Sequence, residues 1–185
     1  MVKDPRPGRV KTRLARDIGK IDATWWYRRQ TGQLLRRLRD PRWDMVLAVS
    51  PDDAGLRSKA WPADLPRWPQ GGGDLGQRMA RMLGAAPGPV CLIGSDIPGV
   101  GRHQIRDAFA LLGSHNSVFG PARDGGYWLV GLKHPNPLPR GIFQNVRWST
   151  EHALADSMAS LPGHRIGLAA TLRDVDTGDD LRMTR

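Results

Sequence analysis

Apolar residues occur along this chain both at helical spacing and in short continuous runs. The helical spacing predicts helices over 22–39, 74–86, 105–112 and 154–161. The continuous runs predict buried strands, which read MVLAVS (45–50), VCLIG (90–94), SVFGPA (117–122), YWLVGL (127–132) and IGLAATLRDV (166–175). The stretch between the first of these strands and the second helix is rich in Pro and Trp, so 51–70 is expected to be a loop.

Strands and helices alternate throughout, which predicts an α/β fold of three layers around a mostly parallel sheet. The uninterrupted apolar run VCLIG favours a central strand that is buried on both faces of that sheet. Ser149 or Thr150 is expected to cap the last helix. No repeat or linker interrupts the pattern, and the length of 185 residues predicts a single domain over 1–185.

The net charge of +10 favours an anionic partner, whether nucleic acid, nucleotide or phosphorylated metabolite. The densest basic cluster, 28–42, has leucines at helical spacing, which favours a solvated helix face over a nucleic-acid patch. No apolar run approaches the roughly 20 residues of a membrane span, and no signal-peptide pattern is present. Because Cys91 is the single cysteine, we expect a reduced, cytoplasmic protein in which this thiol is a buried spectator.

Two aspartates follow predicted strands, at the edge where open parallel sheets bind ligands. Asp96, in GSDIPG, either binds a hard divalent cation or caps the next turn. Asp124, in GPARDGGYWLVGL, either belongs to an Asp-Gly hairpin turn or reaches a metal or an acceptor hydroxyl. In the second case, Gly125 and Gly126 would let the backbone approach the ligand.

Two other stretches have the composition of anion-binding loops. QGGGDLGQRM (70–79) places three glycines before a helix, where they either wrap a nucleotide or form a flexible loop with Asp74 as N-cap. PGRVKTRL (7–14) is not a Walker motif, yet its Pro-Gly turn can deliver Lys11 and Arg13 to a phosphate. The histidines show no paired spacing, so zinc is not expected, and the lack of a nucleophile elbow argues against covalent catalysis.

Taken in order, these stretches resemble one family. KDPRPGRVKTRL, QGGGDLGQRM, GSDIPG, GPARDGGYWLVGL, VRWST and TLRDVDTGDDL resemble the bacterial glycosyltransferase-like proteins of the nucleotide-diphospho-sugar transferase superfamily. Those proteins are related to 2-phospho-lactate guanylyltransferase and, more distantly, to molybdenum-cofactor guanylyltransferase. The resemblance implies a Rossmann-like, GT-A type fold, a nucleotide-activated donor and a Mg²⁺ or Mn²⁺ ion. Family members have a hydrophobic strand before the first motif; since this chain starts at Met1, we expect a truncated first strand or a natural start upstream.

The resemblance also implies roles for individual residues. Gly8, Lys11 and Arg13 match the part that binds the donor phosphates. Asp96 matches the metal-binding aspartate and Asp124 the second acidic position, where it is also the candidate base of an inverting reaction. The other matches are the base and ribose loop (Gln70, Gly73 and Asp74), the acceptor side (Trp148, Ser149 and Thr150) and the C-terminal DVDT motif (Asp174 and Asp176), the last read as structural first and catalytic second.

Two reactions fit this set of residues. Glycosyl transfer from a nucleoside diphosphate sugar to a small acceptor is the leading hypothesis, because the motifs look closer to that branch of the superfamily. The alternative is nucleotidyl transfer, in which a phosphorylated metabolite attacks a nucleoside triphosphate and pyrophosphate leaves. A basic nucleic-acid-binding module would explain the charge but not the two aspartates after strands, so nucleic acid is not the expected partner.

Overall fold

The computed structural model describes residues 1–183 of the chain. Its helices and strands follow one another as β1 (Val2–Lys3), α1 (Leu14–Ile18), α2 (Lys20–Arg37), β2 (Leu47–Ser50), α3 (Asp52–Arg57), β3 (Arg67–Pro69), α4 (Leu75–Gly84), β4 (Val90–Ile93), α5 (Arg102–Ser114), β5 (Ser117–Pro121), β6 (Tyr127–Leu132), α6 (Ala153–Ala159), β7 (Ile166–Leu168) and α7 (Gly178–Met183).

The chain divides into two compact units. The first unit contains Met1–Pro69, Ser95–Arg102 and the C-terminal segment from Arg173, and the second contains Gln70–Gly94 and His103–Leu172. The expectation of one domain over 1–185 stays a prediction.

The first unit is built on a parallel sheet of order β1-β2-β3. β1 has two residues and pairs Val2 with Val49 and Lys3 with Ser50. Helix α2 covers this sheet because its apolar positions recur at helical spacing and are buried. The buried cluster of this unit consists of Val2, Val10, Tyr27, Leu35, Leu47, Val49, Trp61 and Leu65.

The second unit is built on a mixed sheet of order β4-β6-β5-β7. β6 pairs antiparallel with both β4 and β5, while β7 runs parallel to β5. The side chains of β6 are buried from Trp128 to Leu132, which explains why its sequence is apolar without interruption. The aromatic rings of Phe119 and Tyr127 pack edge to face on this sheet, with centroids 5.1 Å apart.

Most predicted elements are confirmed, with four corrections. VCLIG is not a central parallel strand: β4 is half-buried and runs antiparallel to β6, because a four-residue apolar run carries no information about strand direction. The stretch 51–70 is not a loop, since it contains α3 and β3. The final strand is shorter than predicted and ends at Leu168. Helix α6 begins at Ala153 behind His152, so neither Ser149 nor Thr150 is its N-cap.

Long-range contacts explain the missed elements of 51–70. β3 contains a proline and has few apolar residues, and it becomes a strand by pairing in parallel with β2. The guanidinium of Arg67 donates hydrogen bonds to the carbonyls of Gly55 (3.3 Å), Leu56 (2.6 Å) and Trp61 (3.3 Å). The bonds to Gly55 and Leu56 satisfy carbonyls at the end of α3, and the bond to Trp61 holds the segment that follows it. No local pattern in the sequence predicts these contacts.

Within residues 1–183, no helix combines the length and the apolar character that crossing a bilayer requires. Burial raises the pKa of the Cys91 thiol to about 12, which agrees with the interpretation of this residue as an unreactive spectator.

The N-terminus of α4 gives a first testable prediction. Asp74 forms a capping box in which its carboxylate accepts a hydrogen bond from the Gln77 amide (2.8 Å), and the Gln77 side chain accepts one from the Asp74 amide (3.0 Å). We expect Asp74→Ala to lower the free energy of unfolding by about 1 kcal/mol, and Asp74→Asn, which keeps an acceptor oxygen, to lower it much less. Urea denaturation measures both, and equal losses would show that the cap does not stabilise the protein.

Candidate functional site

The loop before α1 holds Lys11 in an uncommon backbone conformation. Gly8 has φ 75° and Lys11 has φ 46°, so both adopt the left-handed region. For a residue with a side chain this conformation costs roughly 1–2 kcal/mol. Val10 and Leu14, which are buried on either side of Lys11, fix the loop in place. The carbonyl of Lys11 also accepts the hydrogen bond from the Ala15 amide that begins the helix (2.9 Å).

This loop places the Lys11 ammonium between two carboxylates. Its Nζ lies 2.6 Å from Oδ2 of Asp96 and 2.6 Å from Oδ1 of Asp176. The side chain of Lys11 is only 6% exposed, whereas those of Asp96 and Asp176 are 31% and 32% exposed. Burial alone would lower the pKa of Lys11, but the two carboxylates outweigh it and raise that pKa above its ordinary value. Lys11 is therefore a largely buried ammonium group that its two carboxylate partners keep charged.

Arg13 completes the cluster. Its guanidinium lies 3.1 Å from Oδ2 of Asp176, so the two oxygens of this carboxylate face two different basic side chains. The Arg13 side chain is 60% exposed, which makes this the more open of the two contacts. We call Lys11, Arg13, Asp96 and Asp176 the four-residue charge cluster; its formal charges sum to zero.

Helix α2 fixes the loop that carries Asp96. The Tyr27 hydroxyl accepts a hydrogen bond from the Lys3 amide (2.9 Å) and lies 3.0 Å from the Ser95 hydroxyl. Burial raises the pKa of Tyr27, so this phenol stays neutral. Further along the helix, the Arg37 guanidinium donates to the carbonyls of Pro98 (2.8 Å) and Val100 (2.6 Å). The loop 95–100 is thus held at both ends by one helix.

The other carboxylate of the cluster depends on the C-terminal segment. Val175 is fully buried against Leu14 and Ala23, which docks this segment onto α1 and α2. The amide of Gly178 donates to the Asp17 carboxylate (2.7 Å), a second tie between the ends of the chain. Sequence reasoning read Asp176 as structural first; the structure places its side chain in direct contact with Lys11 and Arg13. The signal available in the sequence was the acidic DVDT motif itself.

The loop at 70–74 belongs to the second unit and is tied to α4. The Arg81 guanidinium donates to the carbonyl of Gln70, which is itself buried. Gly73 has φ 100°, and a Cβ there would lie 2.2 Å from Oε1 of Gln77. The observed role of Asp74 is the cap described above, so a role of this loop in binding the base and ribose stays a prediction.

Asp124 lies in the hairpin turn between β5 and β6. Its carboxylate accepts a hydrogen bond from the Gly126 amide (2.9 Å), so the Asp-Gly turn alternative is observed. Gly125 has φ 84°, and a Cβ there would lie 2.2 Å from the carbonyl oxygen of Glu151. The Gly125 carbonyl also accepts from the Leu154 amide (3.0 Å). This glycine therefore permits a close backbone approach within the protein, and the role of Asp124 in metal binding or as a base stays a prediction.

The WST motif packs in the same unit. The rings of Trp148 and Phe143 have centroids 6.1 Å apart, and a Cβ at Gly76 would lie 2.9 Å from the Trp148 ring. Thr150 donates a hydrogen bond to the Arg147 carbonyl (2.7 Å), which closes the turn before α6. Sequence reasoning did not single out Arg147, whose guanidinium forms an ion pair with Asp156 of α6 (2.9 Å). Assignment of this motif to the acceptor side stays a prediction.

The structure thus brings some of the predicted site residues into contact, while the others belong to the other unit. Lys11, Arg13 and Asp96 meet in the first unit and are joined there by Asp176. The other predicted residues belong to the second unit: Gln70, Gly73, Asp74, Asp124, Trp148, Ser149 and Thr150. Among the residues that the structure describes, no group of three or more His, Cys, Asp or Glu side chains is placed to hold a metal ion.

The contact between Tyr27 and the Ser95 loop can be tested by removing one oxygen. Tyr27→Phe leaves the Lys3 amide and the Ser95 hydroxyl without this partner, so we expect a loss of about 1–3 kcal/mol in the free energy of unfolding. We also expect faster amide exchange across 95–100. Tyr127→Phe is the matched control, because it removes a buried hydroxyl from the second unit. If both variants changed exchange in 95–100 equally, Tyr27 would not be the residue that holds this loop.

The close approach at Gly125 gives a third prediction. Gly125→Ala combines an unfavourable φ with a clash against the Glu151 backbone, so we expect a loss of roughly 2–4 kcal/mol. Gly88→Ala is the control, since a Cβ at Gly88 meets nothing within 4 Å. Thermal denaturation measures the stability of both variants. If Gly125→Ala were as stable as wild type, the turn would not be packed against Glu151.

Comparison with known proteins identifies the family. A family model described as "Uncharacterized protein conserved in bacteria (DUF2064)" matches residues 33–150, more than half of the chain. No curated protein matches the sequence. A crystal structure from Desulfovibrio desulfuricans G20, described as a "putative nucleotide-diphospho-sugar transferase", is 30% identical, with a TM-score of 0.89 over 99% of this chain and 83% of that one. Rv0371c from Mycobacterium tuberculosis H37Rv is 17% identical, with a TM-score of 0.52 over 99% of this chain and 92% of that one, and shows similarity of fold alone. The α/β prediction is confirmed: this chain belongs to the DUF2064 family and has the nucleotide-diphospho-sugar transferase fold.

Proposed function

We propose that this protein is a metal-dependent transferase that moves a glycosyl group from a nucleoside diphosphate sugar to a small acceptor. The observation that carries the proposal is the four-residue charge cluster, in which two basic and two acidic side chains meet from three separate stretches of chain. The description of the Desulfovibrio relative supports the choice of donor. We retain a cytoplasmic location as part of the proposal, on the basis of the single cysteine.

The two carboxylates fit a magnesium or manganese ion. Asp96 and Asp176 each offer oxygen ligands, approach one point and remain about one-third exposed. Mg²⁺ keeps several waters and is usually bound through one or two carboxylates together with substrate phosphates, so two aspartates suffice. We propose Asp96 and Asp176 as the ligands, in place of the pair of Asp96 and Asp124. The bound ion would offset the charge that develops on the departing diphosphate.

The basic residues of the cluster are suited to bind the donor. The Arg13 guanidinium offers a planar fork that matches phosphate oxygens, and the Lys11 ammonium offers a compact point charge. Their positions on a loop fixed by Gly8 and by buried neighbours would orient the diphosphate. We assign the recognition of base and ribose to the 70–74 loop of the second unit.

The acceptor would be activated by Asp124. Its exposed carboxylate would take the proton of the acceptor hydroxyl as the oxygen bonds to the anomeric carbon of the donor. The bond from that carbon to the diphosphate breaks, and its electron pair leaves with the nucleoside diphosphate. We assign contact with the acceptor to Trp148, Ser149 and Thr150.

A ligand panel tests the proposal. We expect one nucleoside diphosphate sugar to raise the melting temperature only in the presence of Mg²⁺ or Mn²⁺, by several degrees at about 100 times its Kd. Asp96→Asn and Asp176→Asn should each lose this metal-dependent shift. Asp53→Asn, whose carboxylate is 91% exposed in the same unit, is the control and should keep it.

The products distinguish the reactions. Release of a nucleoside diphosphate supports glycosyl transfer, whereas release of pyrophosphate from a nucleoside triphosphate would identify a nucleotidyltransferase. If no nucleotide stabilised the protein and it bound any DNA with steep salt dependence, the transferase assignment would be wrong.

A further inference from the structure

The charge cluster is already neutral without any ligand. Oδ1 and Oδ2 of Asp176 face Lys11 and Arg13, and Oδ2 of Asp96 faces Lys11. Two positive side chains already lie at hydrogen-bond distance from these oxygens, so a divalent cation that binds the same oxygens would come close to both of them. Since like charges at such short range repel strongly, the ion and the Lys11 ammonium cannot both keep the same carboxylate oxygens.

Lys11 can leave this position without unfolding its loop. The backbone is fixed by the buried side chains of Val10 and Leu14 and by the first hydrogen bond of α1. The side chain beyond it is a flexible stem of four carbons, so only rotamer changes are needed to move the ammonium. The Nζ atom lies 6.0 Å from the centroid of the Trp26 ring, a further contact that stabilises the cation inside the cluster.

We propose that Lys11 is an exchangeable internal counter-ion that competes with the divalent cation for Asp96 and Asp176. This inference rests on the function proposed above. In the free protein, the ammonium satisfies both carboxylates and keeps the affinity for metal alone low. When donor phosphates offer Lys11 and Arg13 new anionic partners, the carboxylates are released to the metal. Metal and donor therefore enter the site with positive coupling, and by linkage each raises the affinity for the other.

Binding of Mn²⁺ alone tests this competition. Free Mn²⁺ is measured by electron paramagnetic resonance as it is titrated with wild-type protein, Lys11→Met and Lys59→Met. Met has a similar length and is not β-branched, so it removes the charge with little change in the loop. We expect Lys11→Met to bind Mn²⁺ at least about tenfold more tightly than wild type, the low end of measured couplings between close charge pairs. Lys59→Met, an exposed lysine of the same unit, should match wild type.

The double variant Lys11→Met/Asp96→Asn tests whether the ion binds at Asp96. We expect it to lose the gain in Mn²⁺ affinity that Lys11→Met produces. If Lys11→Met bound Mn²⁺ no more tightly than wild type while Asp96→Asn abolished binding, the metal site would stand and the competition would be wrong. If Mn²⁺ bound to no variant, the proposed metal site would fail together with this inference.

A measurement on the wild-type protein covers the case in which Lys11→Met does not fold. Acylation by an amine-reactive reagent, located by mass spectrometry, should be slow at the buried Lys11 and become several-fold faster when Mn²⁺ is added. Lys20 and Lys59, both exposed, serve as internal references whose reactivity stays constant. Unchanged protection of Lys11 at saturating Mn²⁺ would overturn the proposal.

Discussion

The contact of the Lys11 ammonium with the carboxylates of Asp96 and Asp176 joins three stretches that lie far apart in the chain. Taking an ammonium group out of water is unfavourable unless opposite charges compensate it. The loop before α1, the loop 95–100 and the C-terminal segment must therefore meet, because the position of each depends on the charges of the others. This requirement explains why each stretch has its own anchor: Leu14 for the loop, Tyr27 for the 95–100 segment and Val175 for the C-terminus.

Local chemistry made a large part of this structure predictable. Helix α2, strand β6 and the Asp74 N-cap, one of the two alternatives for its loop, follow from spacing and from the types of side chain, because their causes lie within a few residues of sequence. Interactions over long distances in sequence were not predictable in this way. α3 and β3 depend on Arg67 and on pairing with β2, and the direction of β4 depends on its partner. The position of Asp176 beside Lys11 belongs to the same class, since 165 residues separate them.

The glycines of the second unit show how one sequence pattern can serve two purposes. An Asp-Gly-Gly turn allows a ligand to approach the backbone, but at Gly125 the space is taken by the backbone of Glu151. The same holds for Gly76, where the Trp148 ring occupies the place of a side chain. Because Gly125 and Gly76 have no side chain, the motifs of this unit can pack closely against one another. The proposed contact of an acceptor with this unit would require such a fixed arrangement of its loops, since catalysis depends on held geometry.

The basic character of the chain also has a structural explanation. Arg37, Arg67 and Arg81 donate to backbone carbonyls, and Arg39 and Arg147 form ion pairs with nearby aspartates. The three arginines that donate to carbonyls satisfy loop and helix ends while keeping their charge, so a charge of +10 does not by itself require a polyanion. Lys11 and Arg13 differ, because they share the Asp176 carboxylate and Lys11 also contacts Asp96, so two carboxylates face the same point. In the proposed function, a metal ion would take over these carboxylates, and the positive charge of the two side chains would then be available to a phosphorylated ligand.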